Sequence, residues 1–133
     1  MVISRKTDYG LILIGALKAT YASGKFVSLR TIVQQYRLPY AYIEKLAGQL
    51  KRAGILEAHT GKVGGYRLAR NPKTLSVGAI VDTFQQEPMM RCLHAQHPQK
   101  ACALVFTCPT RKGWNKIERK VSETLNHITV AQL

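Results

Sequence analysis

The chain has 133 residues, 46% of them hydrophobic, with 20 Lys and Arg against 7 Asp and Glu and a formal charge of +13; this composition supports one domain with a real core, and no apolar stretch reaches the roughly 18 residues of a membrane-spanning helix. Three cysteines leave one over from any intramolecular pairing, and the start carries Arg5, Lys6 and Asp8 with no small-residue cleavage site after an apolar run, so a cytoplasmic protein with no secretory signal is expected. Residues 1–70 hold 12 basic and 3 acidic side chains and residues 71–133 hold 8 and 4; the surplus sits in the first half, spread over several short elements, which favours nucleic acid over a membrane surface.

Residues 7–21 predict a first helix, capped by Thr7 or Asp8, whose unbroken Leu11-Ile12-Leu13-Ile14 calls for burial on more than one side, one of them against a partner chain. After a turn at Ser23-Gly24, Ser28 caps a second helix over residues 29–36, where Leu29, Ile32, Val33 and Tyr36 recur at helical spacing. Pro39 suits the first position of a third helix, because its missing N–H would be unpaired there, and Gly54 suits the C-terminal cap. On that helix Ile43, Leu46, Ala47 and Leu50 share a face, which leaves Ala41, Lys45, Gly48 and Arg52 opposite. Residues 55–60 and 66–68 are strand candidates joined by Gly61-Lys62-Val63-Gly64-Gly65, a loop that presents a basic residue at its tip. Three helices followed by a Gly-rich hairpin is the order of a winged helix-turn-helix.

Asn71-Pro72 breaks the chain, and Ser76 caps a fourth helix over residues 77–86. Residues 87–110 hold all three cysteines, His94, His97 and three prolines without sustained periodicity, and read as a functional loop. From Arg111 onward Trp114, Ile117, Val121, Leu125 and Ile128 mark an apolar stripe on a long helix, too wide to be left in water, that packs against another subunit. The expected fold is mostly α with a small β-wing. Residues 1–72 form the DNA-binding winged helix, 73–110 the connecting helix and cysteine loop, and 111–133 a dimerisation helix and tail.

Two groups of residues carry chemistry. Lys51, Arg52, Arg5, Lys6 and Arg30 are candidates for phosphate contacts, Tyr40, Ala41, Glu44 and Lys45 for base edges, and Lys62 for the wing; Tyr40 and Tyr42 read equally well as packing residues. Cys92, Cys102 and Cys108 lack the short spacing of a zinc ribbon, yet three thiolates on one loop can converge on a soft metal centre such as an iron-sulfur cluster. A fourth ligand is then missing, with His94, His97 and Asp8 as candidates. A thiol enzyme with one Cys activated by His94 or His97 fits poorly, for want of a nucleophile motif and of room for a substrate pocket. A zinc-loaded or metal-free regulator that senses oxidants through its thiols is the alternative to a cluster.

The segments ISRKTDYGLILIGAL, LPYAYIEKLAGQLKRAGILEAHTGKVGGYRLAR, the triple-cysteine loop and LNHITVAQL resemble the family of winged-helix iron-sulfur transcription regulators that includes IscR, NsrR and RirA. The likeness covers almost the whole chain, and the C-terminal part is most similar to the branch that regulates the Suf cluster-assembly operon. The resemblance implies a homodimer with crossing C-terminal helices, a palindromic double-stranded DNA operator, and a cluster held by Cys92, Cys102 and Cys108. IscR-like members place a ligating His three residues after the last Cys; here that position is Arg111, which cannot ligate as a cation. NsrR-like members use an Asp at the start of the first helix, donated by the other subunit, and Asp8 matches it. A 4Fe-4S cluster is therefore favoured over 2Fe-2S, the more so because the second helix has Val33 and no His.

Overall fold

Ser4 starts the first helix, ahead of both predicted caps. In the computed structural model, which describes residues 3–62 and 64–133, the Ser4 hydroxyl accepts from the Thr7 N–H at 3.2 Å and meets the Thr7 hydroxyl at 3.0 Å. Thr7 is thus a satisfied, fully buried polar residue, and Asp8 stands exposed on the first turn of α1 (Arg5–Lys18). Leu13, Ile14 and Leu17 are fully buried, whereas Leu11 and Ile12 are only half-buried. The helix stops short of the predicted residue 21 in a series of turns that ends at Gly24, in the left-handed region.

Helix α2 (Leu29–Tyr36) begins at Ser28, whose hydroxyl accepts from the Arg30 N–H at 3.2 Å. It ends at Arg37, a left-handed residue (φ 53°), and the Leu38 N–H closes on the Val33 carbonyl at 2.9 Å. Pro39 is the cap rather than the first residue of α3 (Tyr40–Arg52). The end of α3 is a Schellman motif: Gly54 (φ 71°) donates to the Lys51 carbonyl at 3.0 Å and Ile55 to the Leu50 carbonyl at 2.9 Å. A Cβ on Gly54 would meet nothing within 4 Å. Gly54→Ala therefore loses only conformational preference, and urea unfolding should show a loss of about 1 kcal/mol.

Strands β1 (Leu56–His59) and β2 (Gly65–Leu68) pair antiparallel in the register Leu56 to Leu68 and His59 to Gly65. Val63, in the predicted wing loop, lies outside the described residues. Tyr66 also exchanges two backbone bonds with Val27, at 2.9 and 2.8 Å, which ties the wing to the chain just before α2.

Ser76 caps α4 (Val77–Phe84), which stops two residues earlier than expected. Two single helical turns, α5 (Arg91–His94) and α6 (Pro98–Ala101), interrupt the segment predicted as loop. Helix α7 (Arg111–His127) follows, and none of its residues is buried. Its C-terminal end is sewn to the start of α4: Val77 donates to Ile128 and Val130 to Leu75, each at 2.8 Å. Gly78 makes this approach possible, since a Cβ there would lie 2.8 Å from the Asn126 side-chain carbon. One core joins α1, α2, α3 and the wing to Leu75, Ile80, Phe84 and Val130.

Candidate nucleic-acid interface and cysteine segment

The buried face of α3 fixes what its other face presents. Ile43, Leu46, Ala47 and Leu50 are wholly buried, so Tyr40, Ala41, Glu44, Lys45, Lys51 and Arg52 are turned to solvent. The two tyrosines separate. Tyr42 packs edge-on against Tyr9, ring centroids 5.8 Å apart, whereas Tyr40 is 40% exposed and lies 5.5 Å beneath the Arg30 guanidinium. Arg52 folds back over Gly48, with its Nη1 3.7 Å from where a Cβ would sit. The wing brings Lys62, exposed, next to Gly61, and Tyr66 lies close enough to α3 that burial first, then the charges of Glu44 and Tyr40, push its phenol pKa up.

Several cations are engaged within the protein. Arg67 donates to Glu57 at 2.8 Å and to the Gly24 carbonyl at 2.9 Å, and stacks 4.4 Å from the Phe26 ring; it braces the wing against the α1–α2 turn. Lys6 places its ammonium 5.8 Å over the Phe84 ring on α4, while Arg5 is exposed. Lys18 donates to the Leu133 carbonyl. Net charge alone could not reveal these uses.

All three cysteines are free and half-buried. Cys92 lies within α5, Cys102 ends α6, and Cys108 precedes Pro109. The Cys108 thiol contacts the Thr110 hydroxyl at 3.4 Å, and this bond, then the Thr110 backbone, with Arg111 helping least, holds its pKa below the ordinary thiol value. Among the described residues no three His, Cys, Asp or Glu side chains are gathered as a group that could hold a metal ion; neither the three cysteines nor any pair of them with Asp8 converges within the single chain. His97 caps α6 and is exposed. His94 instead reaches α7, with Nε2 2.8 Å from Glu118 Oε2.

Sequence reasoning missed two features here. A cleft of about 760 Å³ opens between α4 and α7, lined by Asp82, Glu87, Glu118 and Glu123, four of the seven acidic residues; acidic groups dispersed in sequence show no such clustering until α4 and α7 are brought together. No cysteine lines this cleft, so it offers no substrate space to a reactive thiol. Arg111, which the sequence shows only as a non-ligand, donates to the Cys92 carbonyl at 3.0 Å.

Residues 3–133 match the family model described as Rrf2, iron-dependent transcriptional regulator. The chain belongs to the Rrf2 family. An HTH-type transcriptional regulator of Synechocystis sp. is 31% identical, with all of this chain and 87% of that protein covered. The structure of CymR, the global cysteine regulator of B. subtilis, superposes with a TM-score of 0.78 at 27% identity, covering 99% of this chain and 95% of that one. IscR of T. potens superposes with a TM-score of 0.77 at 28% identity, covering 99% and 85%. This Rrf2 protein is accordingly a DNA-binding transcriptional regulator with a winged-helix fold, not an enzyme, and among the described residues no helix is long and apolar enough to cross a membrane.

Proposed function

We propose that the protein is a cytoplasmic homodimer whose grip on a palindromic operator is set by an iron-sulfur cluster. The observation that carries this reading is the placement of three free, half-buried thiols on the one segment that links the DNA-reading core to α7. As a donor set, three cysteines free of any disulfide suit an iron-sulfur centre. Cys92, Cys102 and Cys108 would hold it, with Asp8 of a second copy as the fourth ligand, and a bound cluster would supply redox- and iron-sensitive cross-linking between copies. Asp8 is exposed on α1 and free of a cap role, which leaves its carboxylate available to such a neighbour.

The second copy is expected along α7. Trp114, Ile117 and Ile128 are 38, 46 and 37% exposed, an apolar edge that a matching helix would cover. In the dimer the α3 helices enter successive major grooves about 34 Å apart, so a small change in the angle between copies weakens both contacts together. On each α3, Tyr40, Ala41, Glu44 and Lys45 face base edges, with Glu44 able to accept from cytosine N4, while Lys51, Arg52 and Arg30 meet phosphates. Lys62 reaches the neighbouring backbone or minor groove. Its loss in Lys62→Ala should weaken operator binding and flatten the plot of log affinity against log salt by about 1 per site; an unchanged slope removes Lys62 from the interface.

A cluster-free regulator that responds through thiol chemistry is the second reading. The contact of the Cys108 thiol with the Thr110 hydroxyl, which holds its pKa below the ordinary thiol value, favours it. Protein prepared without oxygen separates the two: a cluster brings brown colour with iron and acid-labile sulfide, while a zinc-loaded or metal-free thiol sensor is colourless. The regulation of cluster-assembly genes follows from the resemblance to the Suf branch, and operator selection from genomic DNA tests it.

A further inference from the structure

The cysteine segment is fastened to α7 at two places on one face of that helix. Arg111 Nη1 donates to the Cys92 carbonyl at 3.0 Å. Glu118, seven residues later, accepts from the Met89 N–H at 3.1 Å through Oε1 and meets His94 Nε2 at 2.8 Å through Oε2. Seven residues are two helical turns, so both side chains leave α7 on the same side. Cys92 lies between Met89 and His94, and all three polar contacts therefore close on the short stretch that carries it.

These contacts differ from the surface ion pairs nearby. Arg91 and Glu87 pair with side chains 79 and 78% exposed, whereas Glu118, although its partner His94 is 56% exposed, is itself only 20% exposed and uses both oxygens. The other two cysteines are held differently: Cys102 N–H bonds to Pro98 within its own turn, and the Cys108 thiol bonds to Thr110. Cys108 thus meets only the cap residue of α7, whereas the stretch that carries Cys92 is tied through its backbone and its neighbours to two turns of the helix body.

The geometry points to Arg111 and Glu118 as positioning residues that hold Cys92 in place on α7 for cluster binding. This rests on the reading of Cys92 as a ligand. A ligand ordered before the metal arrives loses less conformational freedom on coordination, and groups that orient ligands commonly alter metal retention by about 10- to 100-fold. Arg111, at the start of α7, orders the first of the three ligands through the Cys92 backbone carbonyl.

The test has two arms. In metal-free protein, iodoacetamide labelling read by mass spectrometry should show Cys92 modified several-fold faster in Glu118→Ala than in the parent, with Cys102 and Cys108 unchanged. Glu118→Gln, which keeps an oxygen acceptor for the Met89 N–H, should restore most of the protection, and Arg111→Ala should again expose Cys92. In iron-loaded protein prepared without oxygen, Glu118→Ala should lose iron to a chelator about tenfold faster and change the electron paramagnetic resonance spectrum of the reduced cluster, while Glu118→Gln stays close to the parent. Cys92 labelling of the metal-free protein that stays at the parent rate in Glu118→Ala, when the same variant loaded without oxygen holds iron as well as the parent does, overturns the positioning role and leaves the cluster reading standing. Selective exposure of Cys92 in protein that takes up no iron upholds the clasp and overturns the cluster reading.

Discussion

Gly65→Ala is expected to destabilise the protein by about 2–4 kcal/mol, a large share of the stability of a domain this size. A Cβ at residue 65 would stand 2.5 Å from the Val27 carbonyl carbon and 2.9 Å from the Ser28 nitrogen. Both are backbone atoms and cannot swing aside. The wing would have to lift from residues 27–28, breaking the Val27–Tyr66 bonds that attach it, and Ser28, the cap of α2, would shift with it. Operator affinity should fall along with stability, because Lys62 and α3 would no longer be held in one frame. Gly15→Ala provides the control: a Cβ there meets nothing within 4 Å in mid-helix, so the change should be neutral or stabilising by up to about 1 kcal/mol. Urea titration of both variants checks the pair, and equal midpoints would show that the wing is not anchored at Gly65.

Cys108→Ser should empty the protein of iron and sulfide, to less than about a tenth of the parent content, since it would remove one of three soft thiolate donors, and a serine hydroxyl, harder and protonated at neutral pH, is a poor substitute. Cys102→Ser should do the same. Neither residue belongs to the buried core that joins α1 to α4 and the wing, so circular dichroism and the urea midpoint of the metal-free variants should match the parent. Asp8→Ala should retain a less stable cluster, as expected for a fourth ligand supplied by another copy. An undiminished cluster in Cys108→Ser would strike Cys108 from the ligand set.

The winged helix was legible because each of its boundaries rests on local chemistry. Ser28 and Ser76 are caps in both sequence and structure, and the Ile43, Leu46, Ala47, Leu50 face of α3 is buried as its spacing requires. Where two neighbouring residues offered the same chemistry the assignment slipped: Ser4 caps α1 because Thr7 is drawn inward, one turn ahead of the predicted caps. Pro39 likewise sits one position outside α3. The segment over residues 87–110 was hardest to read. Its single-turn helices are too short to set up a periodicity, and what holds them, Arg111 to Cys92 and Glu118 to Met89 and His94, spans 19, 29 and 24 residues of sequence. Arg67 shows the same limit from the other side: in sequence it is one of the 12 basic residues of the first half, and in the fold it braces Glu57, Gly24 and Phe26. The cysteines were visible as residues, but the site they would complete needs a second chain.

The most direct measurement is operator affinity of the same preparation, made without oxygen, before and after removal of its iron. A cluster that sets the angle between two reading heads predicts dissociation constants differing by about 5- to 150-fold, corresponding to about 1–3 kcal/mol of coupling, with the difference abolished in Cys108→Ser. Equal affinities for iron-loaded and iron-free protein, or protein that carries no iron and sulfide yet binds its operator at full strength, would contradict the account.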